Sequence, residues 1–427
     1  MAINTPLSDT LDGYLEALLA GRSAISHWRG FDTSTIESKI GGDLSDYDVG
    51  ARVGALMSQL PEALWTRLRL LVKKGAWSTG LSLLLALDAY RDAGLLRGLR
   101  DGVPALDREL ATVVGGHNLN ANYVYKARTE FEKEPEWIDV MLTVKRQDTD
   151  HAARVSELLG AAGPAYTVGG ACASGNQALR LAFDEIRHRG YQRALCLGPV
   201  LDYNPLDLHA MGLLGAISRF TFDETPQRAS RPFDTRREGF VPSHGGACLL
   251  LEELESARRR EAPIYAEVLG VEASSSANHR PIPDEDGQVA LLNRLFDRSG
   301  VEPVEVDYVN CHATSTPRGD LAEARALRRI FGKRYAGEPL INAPKSMLGH
   351  TCWSSALCEI VGAVLQMRAK KLHPTINVEQ RDPEIDFEIC DGDGPVAHDA
   401  RTTLKSAFGF GGINCVALLR RFESGVI

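Results

Sequence analysis

The sequence predicts an α/β protein made of two related units. Strand-like and helix-like stretches alternate through both halves of the chain. Each half contains a strand, a turn of small residues and an apolar helix in the same order, at 167–183 and again at 341–367. The 427 residues, 44% hydrophobic and 24% charged, suffice for two to three domains or one large duplicated unit with a sizeable core.

Residues 9–27 carry an amphipathic helical pattern in Leu11, Tyr14, Leu15, Leu18 and Leu19. Residues 28–60 read as mixed and loop-rich, and 62–95 as two helices, the second from Gly80 to Ala93. A buried strand is expected at 109–116, helix at 123–160, a strand at 165–168, a helix at 174–189 and a strand at 193–199. Residues 200–243 read as one long irregular segment, the kind that in a compact enzyme is usually functional. Strand 246–252 closes the first half, and Arg258–Pro263 is the best junction, giving units 1–260 and 261–427. The second unit is expected to run strand 264–273, helix 287–299, strand 306–310, helix 320–331, strand 340–343, helix 354–369 and strands 402–408 and 414–420.

The net charge of −8 gives no basic face of the size nucleic acid requires. Arg258, Arg259 and Arg260 form either a solvated helix end or a small patch for an acidic protein partner. The eight cysteines form no CxxC pair and no zinc spacing, so no metal is expected. Most sit in apolar runs, as buried free thiols of a reducing compartment do. The N-terminus has no signal-peptide pattern and no apolar run reaches about 18 residues, so a cytoplasmic protein without a membrane span is expected.

Four segments hold candidate chemistry. Gly169–Asn176 places Cys172 among tiny residues between a strand and a helix. There the helix N-terminus can stabilise a thiolate and backbone amides can bind an oxyanion. A buried structural cysteine in a tight turn is the alternative. Asn310–Asp320 carries His312 off a strand end into a hydroxyl-rich loop with Thr314 and Thr316; either a catalytic group or a turn cap fits. Lys345–His350 sets Lys345 and His350 five apart, with Glu359 nine residues on as a candidate partner for the lysine. A surface lysine and a structural histidine are the alternative there. Phe408–Asn414 interleaves Gly409, Gly411 and Gly412 with two phenylalanines, a backbone built for close approach to a ligand and without the spacing of a dinucleotide loop.

In order and character these four segments resemble the β-ketoacyl synthases of the thiolase superfamily, over about Thr5 to Arg421. The resemblance implies a five-layered α-β-α-β-α thiolase-like fold. It implies Cys172 as the acyl-carrying nucleophile, with its own amide and that of Phe410 as the oxyanion hole. His312 and His350 become donors to an enolate, and Lys345 pairs with Glu359. Thr314 and Thr316 look like the pantetheine-binding threonines, and Phe410, between Gly409 and Gly411, like the gate of the acyl pocket. It further implies an acyl carrier protein as partner, acyl and malonyl thioesters as substrates, and a homodimer. No cofactor is resident, since phosphopantetheine arrives on the carrier.

Three departures modify the expectation. The chain starts almost at a TPLG-type segment, Thr5-Pro6-Leu7-Ser8, so the first strand is short or missing, or the start is misassigned. Trp353-Ser354-Ser355-Ala356 stands where the family has small residues, which predicts a narrowed acyl pocket favouring short acyl groups. Ala313 replaces a usual glycine, a mild change. The Trp-Ser segment with Arg236–Pro242 resembles free-standing ketosynthases of polyketide β-branching cassettes, which decarboxylate malonyl-carrier protein to acetyl-carrier protein and commonly carry serine at the nucleophile position. Condensation is ranked ahead of decarboxylation alone because Cys172 is present. A non-catalytic ketosynthase partner subunit or a cysteine hydrolase fits the retained Cys172, His312 and His350 less well. The primer, chain length and choice between fatty acid and polyketide pathways stay open.

Overall fold

The computed structural model describes residues 1–96, 107–332 and 338–423. Two five-stranded sheets dominate it. The first contains β1 (Ala2–Asn4), β2 (Leu110–Gly115), β3 (Ala165–Val168), β4 (Arg193–Gly198) and β5 (Gly246–Glu252), in the order β1-β5-β4-β2-β3. The second contains β6 (Ala266–Ser275), β7 (Tyr308–Asn310), β8 (Leu340–Asn342), β9 (Thr402–Gly409) and β10 (Ile413–Arg421), in the order β8-β7-β9-β10-β6. Numbered within its own half, each sheet reads third, second, fourth, fifth, first. The three strands on one side are parallel, and the last two pair antiparallel. The weak sequence echo is therefore a full topological duplication.

Side-chain size along the strands explains the layering. Facing the middle of the molecule are Ala111, Ala194, Cys196 and Ala247 from the first sheet and Ala407, Cys415 and Ala417 from the second. These small residues let two central helices, α3 (Ser174–Arg189) and α6 (Ser355–Ala369), pack between the sheets. The alternate residues are bulkier. Leu110, Val114, Leu195 and Leu197 face outward onto α1 (Trp77–Asp92) and α2 (Thr149–Leu159). Leu404, Val416 and Leu418 face α4 (Glu285–Ser299) and α5 (Pro317–Phe331). Strand alternation thus sorts the core into the five α-β-α-β-α layers of the thiolase-like fold. α6 is buried on nearly every side, as its continuous apolar sequence requires.

Several local expectations change. The first strand is present and short, pairing antiparallel with β5. Within 9–27 the helix covers only Leu11–Leu19, and Ile25–His27 is a strand paired with Ile40–Gly42. The loop-rich 28–60 also holds a helix, Val49–Ala55, capped by Asp48. The helical stretch at 123–160 is broken into 121–133, 142–145 and 149–159, with Pro135 in the first break. Within 200–243, Asn204 caps a helix from Pro205 to Leu213, a start written in the sequence as Asn-Pro. Among the described residues no helix is long and apolar enough to cross a membrane.

Candidate active site

Cys172 is the middle residue of a 3-10 turn, Ala171–Ala173, between β3 and α3. Ala171 holds a left-handed φ of 46°, a strain on the order of 1–2 kcal/mol for a residue with a Cβ. Ser174 clamps the turn, its hydroxyl accepting from the Gly170 N–H at 2.8 Å and donating to the Ala171 carbonyl at 2.7 Å. The β9–β10 hairpin approaches so closely that a Cβ on Gly409 would lie 2.5 Å from the Gly170 carbonyl oxygen. Gly411 and Gly412, with φ of 79° and 73°, close that hairpin. The approach brings the N–H of Phe410, alongside that of Cys172 itself, to the cysteine sulfur.

The helix start expected to favour a thiolate is opposed by burial. Burial pushes the Cys172 thiol up to about 11, outweighing Lys345 and the two amides that favour the anion. The turn precedes the helix proper, and desolvation dominates at a side chain only 6% exposed.

His312 leaves β7 into a loop tied at both ends. The N–H groups of His312 and Ala313 donate to the two oxygens of Glu323 on α5, at 2.8 and 2.7 Å. Lys345 donates to the His312 carbonyl at 2.6 Å. The His312 ring is hydrogen-bonded to the Phe408 backbone, and burial, Lys345, His350 and Lys405 hold it neutral. His350 has its N–H on the Val241 carbonyl and its Nδ1 accepting from the Cys352 N–H at 3.1 Å. Its proton therefore sits on Nε2, which is buried and has no partner among the described residues. Burial and then Lys345 push the ring down to about 3, so it too is neutral. The two rings stand edge to face at 5.6 Å. Cys172 Sγ and one nitrogen of each imidazole lie within 4.8 Å of one another. These residues, 178 positions apart at the extremes, are brought together by the matching strand ends of the two sheets.

Beneath them lies a buried charge cluster. Lys345 Nζ meets Glu359 Oε1 at 2.5 Å, with Ser355 donating to the same oxygen at 2.8 Å. Lys405 of β9 pairs with the other oxygen of Glu359 and donates to the carbonyls of Asn310 and Cys311 at 3.3 and 3.2 Å. The two ammonium groups hold the Glu359 carboxyl below its ordinary value despite burial.

A cavity of about 400 Å³ opens onto the trio. Cys172, His312, His350, Thr314, Thr316, Gly409 and Phe410 all line it. The two threonine hydroxyls are 3.0 Å apart, and Thr316 also caps α5 through the Gly319 N–H. Phe410 is 39% exposed at the hairpin tip. Phe240 bridges it to His350, with ring separations of 6.3 and 5.0 Å. Lys345 and Glu359 lie below the cavity, and Gly411 shapes the hairpin without lining it. Trp353 lies outside it as well. Its ring stacks on His117 at 4.1 Å, while the neighbouring Cys352 takes a hydrogen bond from Tyr203 at 2.9 Å.

Sequence reasoning missed Lys405, Glu323, Phe240 and the Pro281–Pro283 wall. Lys405 had a signal: an isolated lysine inside Thr402–Gly409, an otherwise uncharged strand, must be paired if buried. Glu323 reaches back only 10 and 11 positions, but no local pattern marks it; Phe240 and the proline wall depend on contacts far away in the chain.

Comparison with known proteins agrees with this geometry. Residues 1–257 match the β-ketoacyl synthase N-terminal domain and 265–379 the β-ketoacyl synthase C-terminal domain. The chain is 30% identical to 3-oxoacyl-[acyl-carrier-protein] synthase 2 of Coxiella burnetii, covering 99% of this chain and 97% of that protein. It is 26% identical to the polyketide biosynthesis malonyl-ACP decarboxylase PksF of Bacillus subtilis, over 99% and 95%. A β-ketoacyl synthase from Burkholderia phymatum superposes with a TM-score of 0.85 at 26% identity, covering 99% of this chain and 98% of that one. The ishigamide ketosynthase/chain length factor gives the same score, identity and coverage. The chain belongs to the β-ketoacyl synthase family of condensing acyltransferases.

Proposed function

We propose that this protein loads an acyl group onto Cys172 and condenses it with a malonyl-type thioester, both delivered by an acyl carrier protein. The observation that carries the reading is the convergence of Cys172 Sγ with two neutral imidazoles at the base of one cavity. In the loading step the thioester carbonyl oxygen sits against the amides of Cys172 and Phe410. The thiol proton passes to the His312 nitrogen not engaged with Phe408, sulfur attacks, and the departing pantetheine thiolate takes the proton. The malonyl thioester then binds and loses CO2. The enolate oxygen is held by the Nε2–H of His350, while His312, its free nitrogen again unprotonated after loading, stands beside the acyl-cysteine. The enolate carbon attacks the acyl-cysteine, a C–C bond forms, the C–S bond breaks, and the β-ketoacyl thioester leaves as the Cys172 thiolate takes a proton from water and returns to the thiol. Lys345 and Glu359 fix the loops, Thr314 and Thr316 hold the pantetheine arm, and Phe410 gates the pocket. No resident cofactor or metal takes part in this reading.

A homodimer fits the surface. Among the described residues β3 is a sheet edge, and Phe131, Trp137 and Val140 are 55%, 76% and 93% exposed. Eight buried free thiols suit the cytoplasm. The two halves divide near residue 260.

Decarboxylation without condensation is the second reading. It is favoured by Trp353 packed on His117 and Cys352 on Tyr203, none of which lines the cavity that reaches Cys172. Intact-mass spectrometry after mixing with malonyl-carrier protein, with and without an acyl primer, separates the two. Acyl-enzyme followed by a β-ketoacyl product supports condensation. Acetyl-carrier protein alone supports the second reading, and no change in either protein refutes both.

A further inference from the structure

Lys345 and Glu359 account for only part of the charge under the histidines. Four ionisable side chains, each 2% exposed or less, surround the strand end that carries His312: Lys345, Lys405, Glu359 and Glu323. Lys345 and Lys405 grip opposite oxygens of Glu359. Glu323 accepts a backbone N–H on each oxygen, bonds that favour the carboxylate and oppose the upward push of its burial. With both carboxylates ionised, two positive charges balance two negative ones. A buried cluster with an odd charge carries a large solvation cost, and its field falls on the neighbouring imidazoles.

We propose that Lys405 is a positioning residue, the second countercharge that keeps this floor neutral and ties β9 to the β7 end from which His312 projects. Its ammonium reaches three elements at once: the carbonyls of Asn310 and Cys311 on the His312 strand, the carboxylate of α6, and its own strand, which runs on to Gly409 and Phe410. Without it, Glu359 and Glu323 face Lys345 alone, and the surplus negative charge favours protonated histidines and a protonated thiol. The groups that face the trio are few. Lys345, Lys405 and His350 act on His312; Lys345, Glu359 and Lys405 act on His350; Lys345 and Glu359 act on Cys172, with Tyr203 and Cys352 neutral alongside.

The test is charge replacement read by chemistry that needs no carrier protein. Iodoacetamide alkylation of Cys172 is followed by intact mass from pH 6 to pH 11 for wild type, Lys405→Met, Lys405→Arg and Lys405→Met/Glu359→Gln, with thermal melts as a folding check. Acting through Glu359, Lys405→Met should slow alkylation some tenfold at a fixed pH below the thiol's titration, a displacement of the rate profile by about one pH unit. The double variant restores neutrality and should return the rate toward wild type, although it removes two native partners. Lys405→Arg keeps the charge and should also stay near wild type. An unchanged rate in Lys405→Met, or a double variant slowed further, overturns the inference. The role assigned to Lys405 rests on Cys172 being the reacting thiol. Normal alkylation shifts with no turnover of malonyl-carrier protein would refute the ketosynthase reading and leave the charge balance standing.

Discussion

Cys172 and Trp353 occupy equivalent places in the two halves of the molecule. Each is the middle residue of a 3-10 turn, 171–173 or 352–354, that leads directly into a central helix. The residue before each has left-handed φ, 46° at Ala171 and 49° at Cys352. The duplicated fold makes the same strained turn twice. One copy presents a sulfur to the cavity, and the other turns an indole onto His117.

That pairing predicts acyl selectivity. Trp353→Gly should let Cys172 accept longer acyl groups, at a stability cost of about 3 kcal/mol for the lost aromatic packing. Trp353→Leu should do the same more weakly and at less cost. Acyl-carrier proteins of graded chain length, scored by acyl-enzyme mass, give the readout. A loading profile identical to wild type in both variants would show that Trp353 does not bound the pocket.

The donor tautomer of His350 is imposed by the backbone, through the Cys352 N–H on Nδ1. His350→Ala should lower malonyl decarboxylation by about 10²–10³. Loading of Cys172 should suffer less, because the Phe410 and Cys172 amides remain. Equal losses in the two half-reactions would contradict the separation of roles.

The thiol at about 11 sets a pH signature. At neutral pH roughly one molecule in 10⁴ carries a thiolate, so alkylation by iodoacetamide should be slow and climb with pH. A plateau already reached at pH 7 would mean that His312 or the amides ionise the sulfur at rest.

Acid stability follows from three buried histidines. Burial holds His151 and His350 down to about 3 and His373 to about 4. Each folded value lies below the unfolded value of about 6.5, so folding favours the neutral ring. That contribution is complete above about pH 6.5 and is lost as pH falls toward 3–4, at up to about 1.4 kcal/mol per residue per pH unit. Urea midpoints should fall sharply between pH 7 and pH 5. Equal midpoints across that range would contradict neutral burial.

Gly409→Ala should distort the active centre, since the new Cβ would meet the Gly170 carbonyl, which is backbone and has little room to yield. A loss of about 1–3 kcal/mol is expected, with slower Cys172 alkylation as the hairpin retreats from the sulfur. Wild-type stability and reactivity would mean that the hairpin is not held at contact distance.

Much of this was legible in the chain. The alternation of strand and helix, the positions of most central elements and the residues Cys172, His312, Lys345, His350, Glu359, Thr314, Thr316 and Phe410 could all be read from local pattern and motif. Helix starts at Pro205 and Pro317 were missed, the first inside a segment read as irregular and the second set at 320, although their Asn-Pro and Thr-Pro caps act within a few residues. The rest depends on partners far apart in sequence. The small-residue segment before a helix gives Cys172 a place where a thiolate can be stabilised; only the packed core brings in the desolvation that opposes it. Lys405 is one residue in a strand until folding brings it to Glu359, 46 positions away in sequence, and near Glu323, 82 away. Short-range propensity and spacing therefore determined the elements and the reactive groups. Burial, tautomer and charge balance were decided by the tertiary structure, because each depends on the local dielectric and on neighbours that only a folded chain supplies.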